Sequence, residues 1–169
     1  MIALIGSHGV GKTTLLEKLS LITPETPIKD GSSRIVRSFN KEIGGTLTPY
    51  EQQLLINKIS DANWNSDILS NICTTRTPLD HYAYSKALGF EDLAKSREEL
   101  FENSNYNDIQ FFYIPIEFEI ESDGIRYEGL EFQRKIDQIL VERIEKYNLQ
   151  VIELRGNIEQ RVEKLLKNI

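Results

Sequence analysis

Gly6-Ser7-His8-Gly9-Val10-Gly11-Lys12-Thr13 satisfies the phosphate-binding pattern G-x-x-x-x-G-K-[ST] in full. The apolar run Ile2-Ala3-Leu4-Ile5 precedes it, and the helical pattern Leu15, Leu16, Leu19 follows. Strand, glycine-rich turn and helix therefore stand in the order the pattern requires. Glycines let the backbone curl until successive N–H groups converge on one set of phosphate oxygens. The positive end of the following helix adds partial charge at the same point. In such a loop Lys12 reaches the β- and γ-phosphates and the Thr13 hydroxyl holds Mg²⁺. The stretch from Gly6 to Thr14 is thus read as a site for a nucleoside triphosphate, with ATP and Mg²⁺ expected and Thr13 as the metal contact.

Composition narrows the class. A chain of 169 residues fits one domain, able to bury about 70% of its unfolded surface. Hydrophobic content of 40% and charged content of 27% describe a globular rather than a disordered chain. The formal net charge of −6 argues against broad electrostatic capture of nucleic acid, although a local basic groove stays compatible with it. The single cysteine, Cys73, permits neither an internal disulfide nor a multi-cysteine zinc site, and its apolar setting reads as a buried thiol. The sequence opens on a core strand and has no run long enough to span a bilayer, so a cytoplasmic setting without membrane contact is expected. Nothing in it fixes the oligomeric state, a dimer included.

Strand-like and helical patterns alternate along the chain, which predicts a parallel sheet covered by helices on both sides. Strands are expected at residues 1–5, around Ile28 and Lys29, at 68–74, at 109–116 and at 149–154. Helices are expected at 11–21, 34–43, from Pro49 onward, 78–88, 91–103, 131–147 and from Ile158 to the end. In the third of these Gln52 is placed for capping, and Leu54, Leu55, Ile59 and Trp64 are expected to face the core. The Phe111-Phe112-Tyr113 cluster reads as sheet core. The fold class is α/β: a three-layer P-loop fold around five mainly parallel strands, in one domain spanning 1–169, with a short lid at 117–130.

Other parts of the chain discriminate among P-loop activities. Asn57-Lys58-Ile59-Ser60 lacks the terminal Asp that specifies guanine, and no Leu-Ser-Gly-Gly signature of transporter ATPases occurs. The chain is also short for a ring-forming ATPase with a helical subdomain. A compact phosphotransferase remains, which needs a group to orient the acceptor hydroxyl, residues to hold the acceptor, and a cationic lid. Asp30 closes the second strand at its carboxyl end, where ligands gather in parallel sheets, and Arg34 follows one helical turn on. A plain turn and helix cap at Asp30-Gly31-Ser32-Ser33 explains the same letters. Arg76 and Asp80 flank Pro78 after the third strand, with Tyr84 on the same helical face as Asp80, and a surface cap or ion pair competes with acceptor binding there. Asp123-Gly124-Ile125-Arg126 reads as a lid whose arginine closes on the transferring phosphoryl group, or as a solvated acidic hairpin. Arg161 reads as an exposed helical residue, and His8 as an incidental occupant of a variable loop position.

The chain resembles the small P-loop kinases that include the ribosylnicotinamide kinase domain of NadR and many phage-encoded nucleoside or nucleotide kinases. The resemblance rests on the loop with its Thr13-Thr14 pair, on Asp30 followed by Arg34, and on Thr75-Arg76-Thr77-Pro78-Leu79-Asp80-His81-Tyr82-Ala83-Tyr84. That last stretch is similar to Asp-Arg-[Ser/Thr]-Pro-x-Asp-x-x-Ala-Tyr, and Asp123-Gly124-Ile125-Arg126 to the Asp-Gly-x-Arg of their lids. It implies an ATP- and Mg²⁺-dependent kinase with a nucleoside, nucleotide or similar small acceptor. Lys12, Asp30 and Arg126 would be catalytic, and Arg34, Arg76, Asp80 and Tyr84 would hold the acceptor. Two departures stand out: Thr75 replaces the usual Asp before the arginine, and the acid near Arg34 is Asp30 rather than Glu, one residue farther away. A kinase acting on a hydroxymethylated base within DNA, and a non-catalytic nucleotide switch, are the alternatives.

Overall fold

The computed structural model describes residues 1–29, 32–70, 72–117 and 129–169. Five strands, Ile2–Ile5 (β1), Ile28–Lys29 (β2), Cys73–Thr74 (β3), Gln110–Tyr113 (β4) and Val151–Glu153 (β5), form one sheet. Its order is β2-β3-β1-β4-β5, and every pairing is parallel. The central strand β1 is apolar at four consecutive positions because it is covered on both faces.

Successive side chains of β1 therefore feed different cores. Ile2 and Leu4 meet Leu15, Leu16 and Leu19 from the helix Lys12–Ile22 (α1), together with Leu165 from Ile158–Leu166 (α8). Ala3 and Ile5 meet Leu79 and Ala83 from Pro78–Ala87 (α5), Phe101 from Glu91–Glu102 (α6), and Ile136 and Leu140 from Leu130–Lys146 (α7). Phe112 belongs to the first core and Phe111 to the second, as sheet residues on opposite faces should. Each fully buried Leu, Ile or Phe of this kind stabilises the fold by about 1.5–3 kcal/mol relative to exposure. Cys73 is wholly buried, and burial pushes its thiol up to about 12, which makes it a packing residue and not a nucleophile.

Three further helices, Ser33–Glu42 (α2), Pro49–Asp61 (α3) and Trp64–Leu69 (α4), lie between β2 and β3 in sequence. Thr48 caps α3 through a reciprocal box with Glu51, so the capping partner is Glu51 and not Gln52. Gln52 Nε2 donates instead to the Leu47 carbonyl at 3.0 Å. The expected apolar face of α3 is also corrected. Ile59 is exposed and Leu54 and Leu55 are half-buried, while Gln53, Asn57, Ser60 and Asp61 are buried. These polar side chains bond to one another and to α2 and α5: Gln53 to Asn57 at 2.7 Å, Asn57 to Ser85 at 3.4 Å, and Ser60 to Ser32 at 2.6 Å. Satisfied hydrogen bonding overrides the hydrophobic period here. The third strand is shorter than the 68–74 expected, because Ile68 sits on α4, a helix pinned to β2 by the Lys29–Asp67 ion pair.

Candidate active site

Between β1 and α1 the chain turns through Gly6, Gly9 and Gly11, at φ of 146°, 76° and 92°. A Cβ on Gly6 would lie 2.6 Å from the Ile114 carbonyl oxygen, so only glycine fits against the neighbouring segment. Gly11 is the N-cap of α1 with no side-chain cap, and the first turn carries no acidic residue. The amides that open this helix are thus left to an anion. Lys12 is buried, its Nζ donating to the Gly6 carbonyl at 2.6 Å and to that of Ser7 at 2.5 Å.

Three distant side chains brace the loop. Gln133 of α7 donates to the His8 carbonyl at 2.7 Å. Asp80 of α5 accepts from the Gly6 N–H at 3.3 Å. Arg161 of α8 donates to the Val10 carbonyl at 2.7 Å and, through its other terminal nitrogen, to Glu117 at 2.6 Å. Glu117 also accepts from the Gly156 N–H at 2.9 Å. Burial opposes the charge on Glu117, but Arg161, the Gly156 N–H and Arg155 hold its carboxyl below the usual carboxylate range. Arg161 is therefore not an exposed helical residue. Its spacing from Ile158 and Leu165 places it on the buried stripe, a signal legible in the sequence.

A cleft of about 230 Å³ opens in front of this loop. Lys12, Thr13, Thr14 and Glu17 line one side, Arg34 and Arg37 of α2 another, and Thr75, Arg76 and Tyr84 the third. Four of these residues are cationic and one, Glu17, is a carboxylate. The cleft is thus strongly positive within a chain of net charge −6. Arg37, which the sequence reading missed, stands one turn beyond Arg34 on the same helix face. Arg76 lies over the Tyr84 ring at 4.8 Å, and the Tyr84 hydroxyl is 3.0 Å from His8 Nδ1. His8 thereby joins Tyr84 on the third wall of the cleft through its ring and Gln133 through its carbonyl.

Asp80 stands apart from the cleft wall. It is 1% exposed, and one oxygen accepts from the Thr77 N–H and hydroxyl, both at 2.9 Å, while the other faces Gly6 and Arg76. It caps α5 and anchors the loop. Asp137 of α7 accepts from the Tyr113 hydroxyl at 2.9 Å; burial pushes its carboxyl up, against the pull of Tyr113 and Lys12. Asp30 and Arg126, read from the sequence as base and lid arginine, lie outside the described residues, as does all of the expected lid between 118 and 128. Among the described residues no cluster of three His, Cys, Asp or Glu side chains forms a metal cage, and no helix is long and apolar enough to cross a membrane. A hard cation here would take its protein oxygen from Thr13, in the manner of Mg²⁺, which keeps several waters and phosphate ligands.

The architecture is shared with known kinases. A deoxyadenosine kinase from M. mycoides, solved with dCMP and dCDP, superposes with a TM-score of 0.69 at 13% identity, covering 98% of this chain and 96% of its own. The same kinase with bound dCTP gives 0.64 at 15% identity, over 98% and 96%. Thymidylate kinase from Candida albicans gives 0.67 at 17% identity, over 98% and 88%. The fold is that of nucleoside and nucleotide kinases. No curated protein matches the sequence. The AAA domain family matches residues 1–161, nearly the whole chain, and on that match the chain belongs to the AAA domain family of P-loop proteins.

Proposed function

We propose that the protein is an ATP- and Mg²⁺-dependent phosphotransferase that phosphorylates a nucleoside, a deoxynucleotide or a related small acceptor, in the manner of the NadR-like and phage kinases it resembles. The observation that carries this reading is the cationic cleft shared by the loop, α2 and the segment after β3. A nucleotide switch needs the loop alone. Arg34, Arg37 and Arg76 instead line the wall facing it, where a second anionic or hydroxyl-bearing ligand would sit.

In this proposal the loop amides and Lys12 take the phosphates, Lys12 exchanging its two carbonyl partners for phosphate oxygens. Mg²⁺, held by Thr13 and the phosphates, would neutralise charge on the transferring group. Arg34, Arg37 and Arg76 hold the acceptor, and Tyr84 sets the position of Arg76. Asp80 acts one step behind them, by fixing Gly6 and the start of α5. Asp30 is assigned to the acceptor hydroxyl and Arg126 to closure over the phosphoryl group, in a single domain whose lid falls at 117–130. Thr75 stands where the family it resembles places Asp, and Asp30 is assigned the carboxylate work in its stead; Glu17, one turn beyond Thr13, also lines the cleft.

Transfer from γ-labelled ATP with Mg²⁺ tests the reading. The acceptors are nucleosides, deoxynucleoside monophosphates, ribosylnicotinamide and hydroxymethylated DNA, with Lys12→Ala as the blank. Label on one acceptor class, lost in the variant, is expected. Tight ATP binding with no label on any acceptor refutes the kinase.

A further inference from the structure

A second, smaller pocket opens off the cleft between α2, α3 and α5, sharing Ser33, Arg37, Arg76 and Tyr84 with it. Gln53 and His81 line its inner part. His81 is 2% exposed. Its Nδ1 lies 3.0 and 3.2 Å from the two carboxylate oxygens of Asp61, and Arg97 of α6 donates to the same carboxylate at 2.7 Å. Burial opposes ionisation of Asp61, yet the contacts of His81 and Arg97 hold its carboxyl below the usual range. Asp61 faces Nδ1, so the tautomer that this contact sets carries its proton on Nδ1 and presents the lone pair on Nε2.

That Nε2 has no hydrogen-bond partner among the described residues. Buried nitrogens are almost always bonded, and leaving one unpaired costs free energy that a ligand recovers. Two nearby polar side chains are bonded: Gln53 to Asn57, and Asn57 to Ser85. His81 lines this pocket, and its Nε2 is a buried ring nitrogen without a partner, held from behind by a carboxylate and an arginine, beside the site where the acceptor molecule would lie.

Resting on the kinase reading above, we propose that His81 Nε2, oriented by Asp61, reads an exocyclic N–H donor on the heterocycle of the phosphoryl acceptor, which makes amino-bearing bases of the cytosine or adenine type preferred over their keto counterparts. A keto oxygen at that point would face the Nε2 lone pair, acceptor against acceptor, and leave both unpaired.

Two matched pairs test this, cytidine against uridine and adenosine against inosine, each as ribo- and deoxyribonucleoside. The wild type should favour the amino member by about tenfold or more in kcat/KM. His81→Asn retains a donor where Nδ1 meets Asp61 but deletes Nε2, so it should fold and lose the preference. His81→Gln, which carries its amide near the position of Nε2, should restore part of it. Independently of transfer, the ¹⁵N resonance of His81 Nε2 should move on titration with cytidine or adenosine and stay in place with uridine or inosine. Equal kcat/KM within both pairs, a preference that survives in His81→Asn, or an Nε2 resonance unmoved at saturation overturns the proposal. Movement of Nε2 with no transfer to any acceptor would leave the pocket assignment standing and remove the kinase.

Discussion

Arg161 joins three parts of the chain that are far apart in sequence, and its replacement tests how the loop is held. In Arg161→Met the stem packing is largely kept, while two charge-assisted hydrogen bonds are lost, at 2.7 Å to Val10 and 2.6 Å to Glu117. Bonds of this kind contribute about 1.5–3 kcal/mol each. Glu117 keeps the Gly156 N–H and a distant Arg155 at 3.9 Å, which softens the loss, whereas the Val10 carbonyl is left on a residue only 8% exposed. The expected cost is about 3 kcal/mol, or some 6–12 °C in melting temperature for a domain of this size. Urea denaturation at constant m-value measures it. The double variant Arg161→Met with Glu117→Gln should cost less than the sum of the singles, by about 1–2 kcal/mol, because the second change removes the charge that the first strands. ATP affinity should fall in both, since the Val10 carbonyl orients the peptide next to the phosphate amides. An Arg161→Met midpoint within about 0.5 kcal/mol of wild type, or strict additivity with Glu117→Gln, would refute the brace.

Three other perturbations follow from the geometry. Gly6→Ala should destabilise by about 3 kcal/mol or more and abolish nucleotide binding, because its Cβ meets the Ile114 backbone at 2.6 Å and φ is +146°; wild-type stability in a melt would contradict this. Arg37→Gln should raise the acceptor KM about tenfold and leave the KM for ATP unchanged, and the reverse pattern in steady-state kinetics would place Arg37 on the nucleotide instead. Asp61 has a depressed carboxyl in the folded chain, so its contribution is complete at neutral pH and is lost as pH falls below the ordinary Asp value of about 3.9 and through the folded value. Asp61→Asn should flatten that part of the acid limb of stability, and an unaltered limb would show that Asp61 does not titrate in this window.

The sheet was legible because its signals are local and unopposed. Ile2-Ala3-Leu4-Ile5 is apolar at every position, and the glycine pattern after it admits one continuation; β1, the loop and α1 follow within a residue of expectation. The errors gather between β2 and β3, where tertiary hydrogen bonding decides which face is buried. From letters alone, Leu54, Leu55 and Ile59 outrank Gln53, Asn57 and Ser60 for the interior. Periodicity counts apolar side chains and cannot register that Ser32 and Ser85, 28 residues from Ser60 and Asn57 respectively, arrive with matching polar groups.

The site divides along the same line. The loop is a contiguous motif and was readable as such, but its braces come from residues 80, 133 and 161, and no sequence window contains them together. Asp80 shows the consequence. Read beside Arg76 and Tyr84 it belongs to an acceptor wall, yet its two oxygens are taken by Thr77 and Gly6, so the motif encodes the joint between α5 and the loop as much as a contact to ligand. Net charge is silent on position in a parallel way. A value of −6 argued against broad capture of nucleic acid and left room for a local basic groove, and Lys12, Arg34, Arg37 and Arg76 concentrate positive charge in one cleft, where its low-dielectric walls strengthen it most. Folding sorts charge by position. In the proposed reading, a basic cleft in an acidic chain favours small anions able to enter it over extended polyanions, whose charge would have to lie along the rest of the surface.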